Sequence, residues 1–467
     1  MTRNISFKKI ILEIKDSLRS EEHDYTQGNL KRAVFLLSVP MVLEMMMESI
    51  FAVVDIFFVS KLGADAIATV GLTESVITII YALAVGLSAA VSAMVSRRVG
   101  EKKFTKASES AYQAILAGIC ISLILAIPGM LFAKDVLRFM NASDSIINDL
   151  SGYASIMFGG NAVIMLLFIN NAIFRSAGNP VLSMRVLWFA NFVNIILDPL
   201  FIFGLGPIPA MGIKGAAIAT TTGRGLAVAY QFYLLSKGKG RIRLKGIKWL
   251  PDFKLIGKLI RLSTGSVSQY IVATSSWVIL MRIVAQYGSE VLAGYTVAIR
   301  IVIFALLPAW GISNAASTLV GQNLGAGLPD RAERSAWIAG KTNMITMAVI
   351  MVLLMSIPRF LVSFFSDVEH VVSVGITCLR TVSIGLIIYG MGMTLANALN
   401  GAGDTQTPFR INIVSFWLIE IPLAWLLSKY TGLEHQGVFL SIVAADLTMS
   451  AVAFYYFQKG KWKLKSI

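Results

Sequence analysis

Of 467 residues, 56% are hydrophobic and only 14% are charged, whereas a soluble surface normally needs about a quarter. A membrane helix takes about 20 mostly apolar residues, so the apolar content suffices for at most about a dozen crossings, and a soluble globular fold is excluded. The formal charge of +15 would suggest nucleic acid in a soluble protein. Here Lys and Arg gather in alternate gaps between apolar runs, the positive-inside pattern, and no nucleic-acid partner is expected.

Residues 1–32 hold no apolar core of signal-peptide length. Phe7, Ile11, Ile14 and Leu18 recur at helical spacing opposite Lys8, Lys9, Lys15 and Arg19, which predicts either an amphipathic helix on the inner membrane surface or a solvated tail. Apolar runs then predict spans near 33–60, 66–95, 110–133, 150–174, 181–204 and 211–235. A second set follows near 261–287, 290–320, 336–357, 370–398, 408–429 and 437–457. Arg97, Arg98, Lys102, Lys103 and Lys106 follow span two, basic residues crowd Lys237 to Arg261, and Lys459, Lys461, Lys463 and Lys465 close the chain. These segments should face the cytoplasm, which places both termini inside a multi-pass cell-membrane protein.

The expected organisation is an N-terminal segment 1–32, a six-helix bundle 33–235, a cytoplasmic linker 236–260, a second bundle 261–457 and a basic tail 458–467. The linker alternates basic and apolar residues. It is read either as a surface for anionic lipid headgroups or as a connection held inside by its charge. Cys120 and Cys378 lie in apolar runs far apart and predict neither a disulfide nor a metal site.

Sliding the chain by 225 residues superposes Leu37-Ser38 on Leu262-Ser263, Gly63 on Gly288, Gly86 on Gly311, Gly100 on Gly325 and Ser110-Ala111 on Ser335-Ala336. After compensating insertions, Ala177-Gly178 falls on Ala402-Gly403. An offset spanning six helices returns to the same membrane side, so the halves are parallel repeats about a pseudo-two-fold axis along the normal. The expected fold is therefore an all-α polytopic membrane protein of twelve transmembrane helices in two six-helix bundles, with a cavity between them and alternating access.

Each ionisable group at membrane depth needs a partner, a cavity or a function. Asp55 in span one and Asp198 in span five are expected at one depth, with Asn194 one turn before Asp198 and Thr220 in span six nearby. Two carboxylates, an amide and a hydroxyl suit Na⁺ or a proton, and no other metal is expected. Glu44, Glu48 and Asp55 lie within about 40° of one another on a helix. They read as a proton route, as a surface attracting cations, or as partners of Arg224 and other bases. Pro40, inward of them, should bend that helix. Met41, Met45, Met46 and Met47 suit an adaptable cavity wall or a packed interface.

The second half lacks this stripe, since Gln269, Ala273 and Leu280 stand opposite Glu44, Glu48 and Asp55. Glu420 aligns within one residue of Asp198, and with Asp446 and Gln269 it marks a lesser polar site, for which Arg282, Arg300 and Arg380 are the expected structural partners. His23, His370 and His435 are the only histidines. They form no HExxH motif and no triad, so an enzyme is not expected.

The motifs TQGNLKRAVFLLSVPM, VDIFFVSKLG, FRSAGNP, NIILDPLFIFGLG and GAAIAT together resemble the multidrug and toxic compound extrusion (MATE) transporters over residues 26–457. The resemblance implies a cofactor-free export of amphipathic, often cationic drugs or toxins in antiport with H⁺ or Na⁺, by a monomer. It assigns coupling to Asp55, Asn194, Asp198 and, less directly, Thr220, and helix bending to Pro40. Relatives with a second-half site carry an acid on span seven, where this chain has Gln269. A flippase for lipid-linked precursors is the alternative, although such relatives usually have fourteen spans and a cationic cavity.

Overall fold

The structure, a computed structural model, describes residues 7–19, 21–237, 240–247 and 250–467. Residues 1–6 of the expected N-terminal segment, and Lys239 and Lys248 of the linker, lie outside the described residues. Among those described, every extended element is helical. In chain order these are α1 (Phe7–Ser17), α2 (Leu30–Ser60), α3 (Ala64–Gly100), α4 (Phe104–Leu131), α5 (Ala133–Phe139), α6 (Ser151–Gly159), α7 (Asn161–Ala177), α8 (Pro180–Phe203) and α9 (Ile213–Lys237). The second set is α10 (Phe253–Val284), α11 (Ser289–Gly325), α12 (Pro329–Ser356), α13 (Pro358–Ser363), α14 (Glu369–Gly401), α15 (Gln406–Asn412), α16 (Ile421–Tyr430) and α17 (His435–Gln458). Two π-helical stretches, Ile146–Leu150 and Ile413–Glu420, join α6 and α16 to what precedes them.

Ten of these helical segments are long and apolar enough to cross a membrane. α2 and α9, of 31 and 25 residues, complete the twelve and carry charge within them, Glu44, Glu48 and Asp55 on α2 and Arg224 on α9. The helices begin and end up to eight residues outside the apolar runs, as α10 does by starting at Phe253. Apolarity reports only the stretch in lipid, whereas the helix ends where its backbone is capped or turned. Duplication is visible in those turns: Gly63 and Gly288 open α3 and α11 with φ of 101° and 108°, and Gly178 and Gly403 turn the chain after α7 and α14 with φ of 96° and 85°. Such backbone favours glycine.

The chain divides into two compact units, one of Leu18–Asp24 and Leu43–Ser263, the other of Met1–Ser17, Tyr25–Val42 and Thr264–Ile467. Both divisions within the repeat fall inside a helix, α2 and α10. In the first unit Val59, Val70, Ile77, Leu137, Ala154 and Ala217 share one apolar cluster. In the second, Leu280, Ala298, Leu379, Ala398 and Phe439 form the main cluster, while Leu36, Leu37 and Met41 of α2 pack on Ile312, Ala316 and Leu319. Met46, by contrast, is exposed, so the methionines of α2 do not share one wall.

Small residues bring backbones together, the usual basis of helix association in lipid. A Cβ on Gly215 would stand 2.3 Å from Phe201 O, and one on Gly401 2.2 Å from Ser317 O. Backbone cannot give way as a side-chain tip can. Gly401→Val should therefore cost about 3 kcal/mol or more, as overpacking does, and appear as a clear fall in the thermal midpoint of purified protein. An unchanged midpoint would show that α11 and α14 tolerate separation.

The linker is fastened to the first unit. Arg243 N donates to Ser108 Oγ at 3.0 Å, Leu244 N to Leu235 O at 3.2 Å, and Gln113 Nε2 to Leu250 O at 2.9 Å. Ile242 and Leu244 are buried while Arg243 and Lys245 point outward, the period of an extended chain. Both oxygens of Glu22 accept the amide of Arg241 at 2.9 Å. Burial pushes the Glu22 carboxyl above its usual range, opposed by that amide and by the charges of Arg241 and Arg243.

Candidate functional site

The first unit holds a buried polar layer where α8 meets α9. Asn194 and Asp198 lie one helical turn apart on α8 and share its inner face. Asn194 Nδ2 donates to Asp198 Oδ1 at 3.3 Å and to Thr220 Oγ1 of α9 at 3.2 Å. Gly223 permits that approach, since a Cβ there would stand 3.0 Å from Ala190 O and 3.3 Å from Asn194 Cβ. All three polar residues are buried, Asp198 completely. Two acceptors are left over: Asn194 Oδ1 and Asp198 Oδ2 have no hydrogen-bond partner among the described residues. A buried acceptor without a donor is costly, and a cation or a proton removes the cost. Asp55 of α2 is half-buried and accepts no hydrogen bond among the described residues, yet it lies within electrostatic reach of Asp198, Glu74 and Arg224.

The other two acids of α2 are paired. Glu44 Oε1 accepts from Arg175 Nη1 at 2.8 Å and from Asn171 Nδ2 at 3.2 Å, and its Oε2 accepts from Ser183 Oγ at 2.8 Å. Gln231 Nε2 donates to Asn171 Oδ1 at 2.7 Å and Gln231 Oε1 accepts from Asn170 Nδ2 at 3.1 Å, extending the network to α9. Glu48 accepts from Arg224 Nη2 at 3.4 Å and from Asn191 Nδ2 at 3.3 Å, while Arg224 Nη1 donates to Tyr81 Oη at 3.1 Å. Arg224 is thus the partner of Glu48, as one of the sequence readings has it. Arg175 sits in the FRSAGNP motif, but neither its pairing with Glu44 nor the part of Tyr81 leaves a local trace in sequence.

Pro40 lies inside α2, which continues as helix on both sides. Farther along, α8 grips the α2 backbone directly, with Trp188 Nε1 donating to Leu43 O at 3.1 Å and Asn191 Nδ2 to Met47 O at 3.4 Å.

In the second unit Gln269 does not join Glu420 and Asp446. Its amide exchanges hydrogen bonds with Asn400 at 3.1 and 3.2 Å and donates to Thr405 O at 3.0 Å. Glu420 is held instead by Ser276, whose Oγ donates to Oε2 at 2.9 Å. Ser276 stands seven residues beyond Gln269, about 10 Å along the helix, so the expected polar group is two separate ones. Arg282, Arg300 and Arg380 are all exposed and make no ion pair among the described residues, which overturns their expected role as partners of these acids. Their helix positions face outward, and the acids face in.

Duplicated helical bundles with carboxylates buried at mid-helix define a multi-spanning membrane transporter. The MatE family model matches residues 40–200 and again 266–426, one copy in each repeat. The chain belongs to this family, the multidrug and toxic compound extrusion transporters, whose members are not enzymes. The probable multidrug resistance protein NorM of Thermotoga maritima is 24% identical, over 94% of each chain. A FAD transporter of Shewanella oneidensis is 25% identical over 94% of this chain and 97% of its own. A crystal structure of MATE in complex with MaL6 superposes with a TM-score of 0.88 at 23% identity, covering 93% of this chain and 97% of that one.

Proposed function

We propose that the protein exports amphipathic, often cationic compounds in antiport with H⁺ or Na⁺ by alternating access, with Asp55, Asn194, Asp198 and Thr220 as the coupling site. The observation that carries this reading is the pair of unpartnered acceptors, Asn194 Oδ1 and Asp198 Oδ2, buried beside Thr220. The multidrug resistance name of the Thermotoga relative supports the substrate class. One positive charge moving down the membrane potential yields about 2.3 kcal/mol per 100 mV, enough for about a fifty-fold substrate gradient. In this reading the chain is a cofactor-free monomer of the cell membrane with both termini cytoplasmic, and Arg243 and Lys245 face lipid phosphates there. Glu44 and Glu48 keep the α2 end of the site in place through Arg175 and Arg224.

The test is ethidium transport by purified protein in liposomes under an imposed pH or Na⁺ gradient, for wild type and Asp55→Asn. One gradient should drive wild type, and the variant should fail. Transport of FAD with no movement of ethidium under either gradient would overturn the reading in favour of an anionic substrate.

A further inference from the structure

The first unit carries a cavity of about 490 Å³ where the linker segment 240–247 runs past the start of α4. No residue of the coupling site lines it.

Its charged groups divide into one settled pair and two left over. Arg241 is committed: Nη1 donates to His23 O at 2.9 Å and to Ala177 O at 3.3 Å, and Nε stands 3.6 Å from Glu22 Oε2. The charges of Glu22 and Arg241 therefore cancel. Arg243 differs. Its amide is fixed by Ser108, and its Nε donates to Gly240 O at 3.0 Å, which orients the guanidinium. Nη1 and Nη2 make no hydrogen bond or ion pair among the described residues, and neither does the Lys245 ammonium. Both side chains belong to residues that line the cavity, so two positive charges border it uncompensated.

The rest of the wall has the same polarity. Phe104 and Thr105 are the first residues of α4, a helix of 28 residues that starts without a side-chain cap. Their amides lie outside the helical ladder, at the positive end of the dipole. The Thr105 hydroxyl adds a donor, and the exposed Phe104 ring, with Arg241 5.9 Å from its centre, adds one apolar face. Two free cations beside an apolar face suit a dianion that bears an organic group. A phosphate monoester carries about 1.5–2 negative charges near neutral pH and three strong acceptor oxygens, two of which a guanidinium can engage at once. The volume falls in the range of small-ligand pockets, roughly 300–1,000 Å³, which leaves room beyond the phosphate itself.

We infer that this cavity binds a dianionic phosphate monoester, with Arg243 and Lys245 as its counter-charges, the first turn of α4 as donor and Phe104 as the shelf for the esterified group. Phosphatidic acid presents that chemistry from the membrane, and small phosphorylated compounds present it from solution. A diester headgroup carries a single charge and leaves one of the two bases unmatched. The inference deepens the reading of Arg243 and Lys245 as facing lipid phosphates, rests on it only for the lipid source, and does not depend on ion coupling at Asp198.

The experiment is calorimetric titration of purified full-length protein with dioctanoyl phosphatidic acid, glycerol 3-phosphate and dioctanoyl phosphatidylglycerol, for wild type, Arg243→Gln, Lys245→Gln and Lys254→Gln. Lys254 is an exposed base of the same segment that does not line the cavity. Wild type should bind a monoester and discriminate against the diester. Arg243→Gln and Lys245→Gln should each weaken binding about tenfold or more, the loss of one charge-assisted hydrogen bond, and Lys254→Gln should leave it unchanged. Tighter binding of phosphatidic acid than of glycerol 3-phosphate assigns the site to the lipid, and equal or tighter binding of glycerol 3-phosphate assigns it to soluble monoesters. Absence of binding by both monoesters, equal binding of the diester, unchanged binding by a folded Arg243→Gln, or equal weakening by Lys254→Gln would each overturn the inference. A protein that moves ethidium but binds neither monoester would keep the antiporter reading and lose this site, and the converse result would do the reverse, so the two fail separately.

Discussion

Asp198→Asn should abolish ion-driven transport while leaving the protein folded. Asparagine keeps the shape and can still accept from Asn194 Nδ2, now 3.3 Å from Asp198 Oδ1, so the α8–α9 contact at Thr220 survives. What is lost is the charge, together with the capacity of Oδ2 to take a proton or hold a hard cation. Hydrogen bonds to charged groups are worth about 1.5–3 kcal/mol, so cation binding should weaken about 10- to 150-fold. Transport by counterflow, which needs no net gradient, should persist. The measurement is dye flux in liposomes with and without the gradient, alongside a melting curve. A folded Asp198→Asn that still couples fully would remove this residue from the mechanism.

Arg175→Met should cost about 3–5 kcal/mol of stability, the usual penalty for leaving a buried charge without its partner. Glu44 is 1% exposed, and Asn171 and Ser183 cannot replace a guanidinium. The duplicated chain indicates how the loss is repaired. Under the 225-residue offset Glu44 meets Gln269 and Arg175 meets Asn400, and the second unit joins those two by a reciprocal amide pair at 3.1 and 3.2 Å. The same place in the fold is thus built once as an ion pair and once as two neutral amides. The double variant Glu44→Gln, Arg175→Asn should accordingly recover most of the stability that either single variant loses, a coupling of about 2 kcal/mol or more in a double-mutant cycle. Transport by the double variant at a wild-type rate would identify Glu44 as a positioning residue. Loss of transport in a stable double variant would return it to the proton route.

The spans were legible because lipid demands long apolar helices, and the repeat because glycines such as Gly63 and Gly288 must recur wherever the same turn recurs. Asn194 and Asp198 were legible too, being polar and one turn apart in a mostly apolar helix. Partnership across helices was not. Glu44 finds Arg175 across more than a hundred residues, whereas Arg282, Arg300 and Arg380, equally plausible on paper, face outward. Gln269 and Glu420 were grouped because both are polar in the second half, and they separate because Glu420 is held by Ser276, seven residues beyond Gln269 on α10. A sequence reports which face of a helix is polar; it does not report what the neighbouring helix brings to that face.

The π-helical stretch Ile413–Glu420 makes length act as angle. Each residue of an α-helix turns the chain by about 100°, so the wider winding here sets the azimuth of everything after it. It also points Glu420 into an aromatic cavity of the second unit. Deleting one residue between Ile413 and Trp417 would not simply shorten the segment. With the winding kept, Glu420 and α16, both beyond the deletion, would turn together by about a quarter turn, and the carboxylate would leave the cavity lined by Trp277, Tyr295 and Phe416. The gene can thus re-aim one buried carboxylate by a single codon, leaving every side chain in the cavity chemically unchanged.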